Sequence, residues 1–218
     1  MTESALREEL CRVGASLFAR GYAHSTAGNL SARLDDGWLI TPTDACLGFL
    51  DPARLAKVGP DGSHRSGDRP SKTLALHRAI YEADATARCV IHTHSTHLVG
   101  ASIAGGWRAG ELLPPITPYF VMKVGRVPHI PYRRPGDPET AALVSAAIAE
   151  HAARGIPLRA VMLERLGPNV WHESPAAAMA TLEELEETAR LWLLSGRAAD
   201  PLSDTALDEL RRVFGARW

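Results

Sequence analysis

The chain has 218 residues, a length that fits one large domain or at most two small ones. Hydrophobic residues make up 45% and charged residues 22%, which excludes a disordered or collagen-like chain and allows a real core. The net charge of −1 leaves no basic excess for a phosphate backbone, so we expect no nucleic-acid partner, and no apolar run approaches the roughly 18 residues of a membrane span.

The N-terminal segment is predicted to be a helix rather than a signal peptide. Apolar residues recur at helical spacing from Leu6 to Leu17, so residues 3–19 form an amphipathic helix that Gly21 ends. A signal peptide has a basic segment followed by an apolar one, whereas the first ten residues here are charged and predicted to be helical. This argues against secretion and favours a cytoplasmic location. A polar loop over residues 24–31 then leads into a strand.

Turn residues dominate the next part of the chain. The run Asp35-Asp36-Gly37 predicts a hairpin turn, because Asp-Gly tolerates positive φ, and a strand over 38–40 follows. Residues 59–70 are rich in Gly, Pro, Asp and Ser. Ser71 stands where an N-cap is expected, ahead of a helix that ends near Glu82.

The second half of the chain is predicted to mix short strands with longer helices. A buried strand over 89–91 ends in His92-Thr93-His94, and the Pro- and Gly-rich region 107–138 holds at most short strands. Further helices are predicted over 138–153, 175–194 and 204–214, with strands over 127–130 and 159–163. Because no long linker interrupts this mixture, we expect a single α/β domain over residues 1–218 with a mainly antiparallel sheet.

Three cysteines, Cys11, Cys46 and Cys89, are spaced neither like a disulfide framework nor like a zinc finger. We interpret them as reduced, mostly buried thiols, which agrees with a cytoplasmic protein.

The strongest local signal for chemistry is the histidine pair His92 and His94. Side chains alternate along a strand, so the two imidazoles would point the same way with Cβ atoms about 7 Å apart. That separation suits two ligands of one metal ion, and His97 is a further candidate partner. The alternative is a pair of satisfied polar residues at the end of a strand.

A second signal comes from three polar loops, at residues 28–31, 41–44 and 71–72. Backbone N–H groups at a helix N-terminus, hydroxyl groups and a lysine together can bind an anion such as phosphate. Each loop alone is also what an ordinary turn requires, so the prediction depends on the three loops meeting in space.

Several motifs together resemble a known family. They are G-N-L-S at 28–31, I-T-P-T at 40–43, P-S-K at 70–72, L-H at 76–77, H-T-H-S-T-H at 92–97, P-Y-F-V-M-K-V-G-R-V-P at 118–128 and Y-R-R-P-G-D at 132–137. In order and spacing they resemble the class II aldolase/adducin family, and within it the branch of 3-oxo-tetronate 4-phosphate decarboxylases. The resemblance extends from about Leu6 to Arg190.

The resemblance implies a three-layer α/β/α sandwich with a mostly antiparallel sheet, assembled as a homotetramer that acts on a small-molecule substrate. It implies a divalent metal, commonly zinc, held by three histidines, of which His92 and His94 match two. The metal would polarise a substrate carbonyl. It also implies a phosphate site, whose residues match Asn29, Thr43, Asp44, Ser71 and Lys72 here.

The sequence departs from the family at two positions of the implied active site. Thr73 stands where the family has a glutamate that moves protons, and a threonine hydroxyl is too weak an acid for that role. Leu166 stands where the family has its third histidine, and leucine has no donor atom. Glu164, interpreted as lying on the same strand face as Leu166, or His172 from an adjoining loop, could replace the third ligand.

These departures leave three hypotheses. The first is a carbon–carbon lyase that cleaves or decarboxylates an oxo acid or phosphorylated sugar acid at a variant metal site. The second is an enzyme without a metal cofactor, in which Lys72, Tyr119, Thr73 and the histidines orient an unusual substrate for cyclisation, isomerisation or decarboxylation. The third is a non-catalytic partner that keeps only the fold.

Overall fold

An eight-stranded sheet forms the centre of the computed structural model, which describes residues 2–108 and 110–218. The strands are β1 (Asn29–Leu34), β2 (Gly37–Ile40), β3 (Ala56–Val58), β4 (His64–Ser66), β5 (Cys89–His92), β6 (His129–Ile130), β7 (Ala160–Leu163) and β8 (Gly167–His172). Their order across the sheet is β4-β3-β2-β1-β5-β8-β7-β6.

Six of the seven strand pairings are antiparallel, and β6 pairs with β7 in parallel. The sheet is therefore mixed, although largely antiparallel, and the expectation of a mostly antiparallel sheet missed the parallel edge. A parallel neighbour requires a long crossover, and helix α4 (Pro138–Ala153) supplies it between β6 and β7.

Helices cover both faces of the sheet, so the fold has three layers. One face packs against α1 (Glu3–Ala19), α3 (Thr96–Ile103), α5 (Pro175–Leu194) and α6 (Asp204–Phe214), and together they bury the first core. The other face packs against α2 (Leu74–Ala83) and α4, which bury the second core with β5, β7 and β8. None of the described helices is both long and apolar enough to cross a membrane.

Strand alternation decides which face each polar residue meets. Along β5, Cys89 and Ile91 belong to the first core and Val90 to the second, so His92 lies on the second, α2-covered face. Along β8, Val170 belongs to the first core and Trp171 to the second, so Asn169 shares that face with His92.

The structure corrects two predicted boundaries next to the polar loops. Helix α2 begins at Leu74 with Thr73 at its N-cap, so Ser71 is not the cap. The Ser71 amide instead donates to the Thr41 carbonyl at 3.2 Å, which holds Ser71 against the neighbouring loop. Strand β5 ends at His92, so His94 lies beyond the strand and the alternation argument for the pair is wrong.

Several elements were not predicted. They are β3, β4, α3, β8 and a π-helical turn over Phe120–Val124. Strand β8 was missed because Gly167 and Pro168 read locally as breakers. Pro168 has no amide N–H to donate to a neighbouring strand, and it lies at the second residue of β8, where the strand begins.

Candidate active site

His92 lies at the end of β5 between two asparagines. Its register partners are Asn29 on β1 and Asn169 on β8, and directly opposite residues of an antiparallel pair share one face. The His92 Nδ1 atom is 2.9 Å from the Pro168 carbonyl oxygen. Since a carbonyl only accepts, neutral His92 carries its proton on Nδ1, and Nε2 keeps a free lone pair.

Burial is the main cause that keeps His92 neutral. It lowers the pKa of His92 to about 4, with a smaller effect from neighbouring His94. The ring centroids of His92 and His94 lie 5.1 Å apart, so the predicted pair is brought together although His94 is outside the strand. Burial also lowers the pKa of His94.

Two other histidines, His24 and His97, have positions that the sequence did not predict. His24, which was not predicted, lies with its ring centroid 6.3 Å from that of His94. The only sequence signal for it is its place four residues before the G-N-L-S motif. His97 does not face the pair, because its Nδ1 is 2.8 Å from the buried carboxylate of Glu186, which also accepts from the His97 and Leu98 amides at the start of α3.

Two glycines allow the backbone to approach this histidine pair closely. Gly28 has φ +90°, and a Cβ there would be 2.9 Å from the His92 carbonyl oxygen. Gly167 has φ +142°, and a Cβ there would be 1.9 Å from the Thr93 carbonyl oxygen. A side chain at either position would collide with the backbone of His92 or Thr93 and displace the segment that carries His92 and His94.

The three polar loops meet, as the anion-site prediction requires. Thr41 joins them: its amide donates to the Leu30 carbonyl at 2.9 Å, and its hydroxyl accepts from the Leu30 amide at 3.2 Å. Its carbonyl accepts from the Ser71 amide at 3.2 Å. Thr41 thereby connects the loop that contains Asn29, the neighbour of Leu30, to the loop that contains Ser71.

The remaining phosphate-loop residues differ in their surroundings. Thr43 is half-buried, and its amide donates to the Arg69 carbonyl at 2.9 Å. Lys72 is exposed to solvent. Asp44 has φ +56° and lines a cavity of about 230 Å³ together with Asp51 and Asp68. Thr43 and Arg54 line the same cavity, and Arg54 pairs with Asp68, so the phosphate role of Asp44 stays a prediction.

The predicted catalytic residues Thr73 and Tyr119 are also located. The Thr73 hydroxyl is 3.0 Å from the Ser71 hydroxyl at the start of α2. Tyr119 precedes the π-helical turn, and its side chain is exposed. No hydrogen bond joins Tyr119 to the histidines within residues 2–108 and 110–218, so its catalytic role stays a prediction.

Buried polar atoms without partners surround His92. They are Asn29 Oδ1, His77 Nε2 and both polar atoms of the Asn169 amide, none of which has a hydrogen-bond partner among the described residues. His77 and Asn169 are completely buried. Neither residue was predicted as a site residue, although Asn169 is conspicuous as an amide inside the apolar run of β8. Such orphaned groups are rare in folded proteins and call for a ligand or water.

The side chains present do not complete a zinc site. Zinc in proteins is held by three or four protein ligands. In the part of the chain that the structure describes, no group of three His, Cys, Asp or Glu side chains could hold a metal ion. His92 and His94 supply two imidazoles, whereas Leu166 packs against the second core and offers no donor.

Neither proposed replacement ligand lies with the pair. Residues 164–166 form a turn rather than a strand, so Glu164 and Leu166 do not share a strand face. The Glu164 carboxylate accepts from the Tyr132 amide at 2.9 Å, on the β6 side of the sheet. His172 ends β8 and pairs with Cys89, at the opposite end of β5 from His92.

Comparison with known proteins decides the family. A family model described as "Class II Aldolase and Adducin N-terminal domain" matches residues 8–193. This chain belongs to the class II aldolase and adducin family. A relative named 3-oxo-tetronate 4-phosphate decarboxylase from Cupriavidus necator is 59% identical over 100% of this chain and 99% of its own length. A relative of the same name from Escherichia coli is 44% identical over 96% of each chain.

Solved structures agree with this assignment. The structure of YgbL from Klebsiella pneumoniae, titled a putative aldolase/epimerase/decarboxylase, is 44% identical and superposes with a TM-score of 0.85. It covers 97% of this chain, which covers 100% of that one. The chain is therefore a lyase-type enzyme of the class II aldolase family. Class II aldolases generally depend on a divalent metal, so the donor set around His92 departs from the family.

Proposed function

We propose that this enzyme decarboxylates a phosphorylated 3-oxo sugar acid, the reaction class for which its 59% identical relative is named. The observation that carries the proposal is the meeting of the three polar loops beside His92. The amides of Thr41, Thr43 and Ser71 already donate to carbonyl oxygens, so the groups that suit a phosphate are side chains, above all the exposed Lys72 ammonium just before α2. The carbon chain of the same molecule is then assigned to the histidine pair.

The chemistry of a 3-oxo acid explains why the change at position 73 is tolerable. The bond between C1 and C2 breaks, C1 leaves as CO2, and the electron pair moves through C2 onto the oxygen at C3, giving an enediolate. One proton then returns to C2, which yields a ketose phosphate. Because CO2 departure generates the carbanion, no base has to remove a proton from carbon, and Thr73 in place of a glutamate does not block the reaction.

The residues of the loops and of the histidine pair have separable roles in this proposal. Asn29, Thr43, Ser71 and Lys72 hold the phosphate through hydrogen bonds and charge. The free lone pair on His92 Nε2 accepts a hydrogen bond from the substrate hydroxyl at C2, which fixes the rotation of the breaking bond. Since the donor set does not complete a zinc site, each role is assigned to a protein group.

The direct test is turnover of 3-oxo-tetronate 4-phosphate by purified protein, before and after treatment with a chelator and with added zinc. We expect release of CO2 together with a triose phosphate. Lys72→Met should raise KM at least tenfold with a smaller effect on kcat, because phosphate binding is lost. Lys57→Met is the matched control, since Lys57 on β3 pairs with Glu3 and Asp36. Absence of CO2 release under all three metal conditions would refute the proposal.

The proposal also includes the domain organisation, the location and the assembly that we expect from the sequence. We propose one domain over residues 1–218, a cytoplasmic location and a homotetramer. Exposed apolar side chains on α3 and α5, namely Ile103, Leu191 and Leu194, provide a surface for association. Light scattering coupled to gel filtration tests the assembly, and a mass of one chain would contradict it.

A further inference from the structure

A buried hydrogen-bond chain crosses from β1 to α2 directly behind the candidate active site. The Tyr81 hydroxyl is 2.8 Å from the Ser31 hydroxyl, which is 2.7 Å from Nδ1 of His77. All three side chains are essentially inaccessible to solvent. The far ring nitrogen of His77, Nε2, has no hydrogen-bond partner within the described part of the chain.

Counting protons along this chain fixes the tautomer of His77. If Tyr81 donates to Ser31 and Ser31 donates to Nδ1 of His77, both hydroxyl protons are used and Nε2 carries the imidazole proton. In the opposite direction, His77 donates to Ser31 and Ser31 donates to Tyr81, which leaves the buried tyrosine proton without an acceptor. That direction also leaves the Nε2 lone pair of His77 without a donor. Unsatisfied buried polar groups are costly, and the first direction leaves one of them instead of two, so it is favoured.

The result is a neutral imidazole whose N–H donor is held in place and has nothing to bind. Burial lowers the pKa of His77 to about 3, with a smaller effect from neighbouring His92. His77 lies one helical turn after Thr73, so both face the same side of α2. Asn29 and His92, on the sheet face that α2 covers, keep 7% and 8% exposure, whereas His77 itself is completely buried.

Orphaned atoms on three separate elements point to one ligand. His77 Nε2 on α2, Asn29 Oδ1 on β1 and the Asn169 amide on β8 are all unsatisfied among the described residues, and all lie on the sheet face of His92. A ligand with an oxygen acceptor at this place would satisfy the His77 donor.

We propose that His77 is a catalytic residue that donates its Nε2–H to the C3 oxygen of the bound substrate. This inference rests on the proposed decarboxylation, in which negative charge develops on that oxygen as CO2 leaves. The imidazole keeps its proton throughout, so the electron pair of the broken C1–C2 bond is stabilised by a hydrogen bond and the proton that reaches C2 comes from solvent. A preoriented donor of this kind contributes about 10²- to 10³-fold to kcat.

The first test is nuclear magnetic resonance of the unmodified protein, with the histidine side chains labelled with ¹⁵N. The free protein should show His77 as the Nε2–H tautomer. A phosphorylated hydroxamate, which mimics the enediolate, should move that proton resonance downfield, whereas inorganic phosphate alone should not. A His77 found as the Nδ1–H tautomer, or one that ignores the hydroxamate, would overturn the inference.

The second test is kinetic. His77→Phe should lower kcat about 10²- to 10³-fold with little change in KM, and His77→Gln, which retains an N–H donor, should recover part of that loss. His151→Gln is the matched control, because His151 only caps a carbonyl within α4. Should His77→Phe fail to fold, Ser31→Ala serves instead: it removes the group that fixes the tautomer, and a mixture of both tautomers with lowered kcat is expected.

These tests separate the inference from the proposed function. The resonance experiment needs no turnover, so a hydroxamate-induced shift without CO2 release would refute the decarboxylation and leave the His77 donor intact. Decarboxylation with an unshifted His77 resonance and equal kcat for His77→Phe would refute the donor and leave the function intact.

Discussion

Acid should destabilise this enzyme through two buried imidazoles. Burial lowers the pKa of His77 from 6.5 to about 3 and that of His92 from 6.5 to about 4. Below pH 6.5 the unfolded chain binds protons at both positions while the folded chain does not. Protonation therefore favours unfolding, and stability is present above pH 6.5 and is lost as the pH falls.

The size of this loss follows from the two pKa shifts. Each histidine contributes about 1.4 kcal/mol per pH unit between pH 6.5 and its folded-state pKa. Between pH 8 and pH 5 each removes about 2 kcal/mol from the free energy of unfolding, or about 4 kcal/mol together. That is a large share of the 5–15 kcal/mol that stabilises an ordinary domain. The lowered pKa values of His94, His129 and His172 act in the same direction.

The assay is urea unfolding at pH 8, 7, 6 and 5 in the presence of a chelator, so that metal binding does not contribute. His77→Gln removes one titrating group, and its stability should fall less steeply with acid, by about 1.4 kcal/mol per pH unit. His151→Gln should leave the slope as it is. The reasoning would be refuted by a free energy that changes less than about 1 kcal/mol between pH 8 and pH 5, or by an unchanged slope in His77→Gln.

Three further predictions concern the turn before β8 and the altered metal centre. Arg165 has φ +63°, so Arg165→Asn should raise the free energy of urea unfolding by about 1 kcal/mol, and a lower value would contradict the strain. Gly167→Ala should cost about 3 kcal/mol in the same assay, because its Cβ would lie 1.9 Å from the Thr93 carbonyl oxygen; an unchanged midpoint would show that the turn can move. The double variant Thr73→Glu/Leu166→His should hold about one zinc per chain by elemental analysis, while the unmodified protein holds clearly less, and equal contents would show that the chain completes the site by other residues.

The sequence by itself determined the features that depend on neighbours along the chain. The predicted ranges of α1, α4, α5 and α6 agree with the structure, and for α1 the signal was apolar spacing, a local property of the chain. The motif series identified the family, and the same motifs named the three loops that the structure brings together. Those predictions needed no knowledge of which strands pair.

Contacts between distant segments were decided only by the tertiary structure. Glu164 lies in a turn instead of on a strand face and accepts from the Tyr132 amide, and His97 contacts Glu186, a residue 89 positions away. The parallel edge of the sheet and the orphaned amide of Asn169 follow from strand order, which local patterns do not encode. The donor that we propose on His77 in α2 depends on Ser31, 46 residues earlier on β1, which contacts its Nδ1 atom. A hydrogen-bond direction belongs to the whole buried chain of groups, so no single segment of sequence contains it.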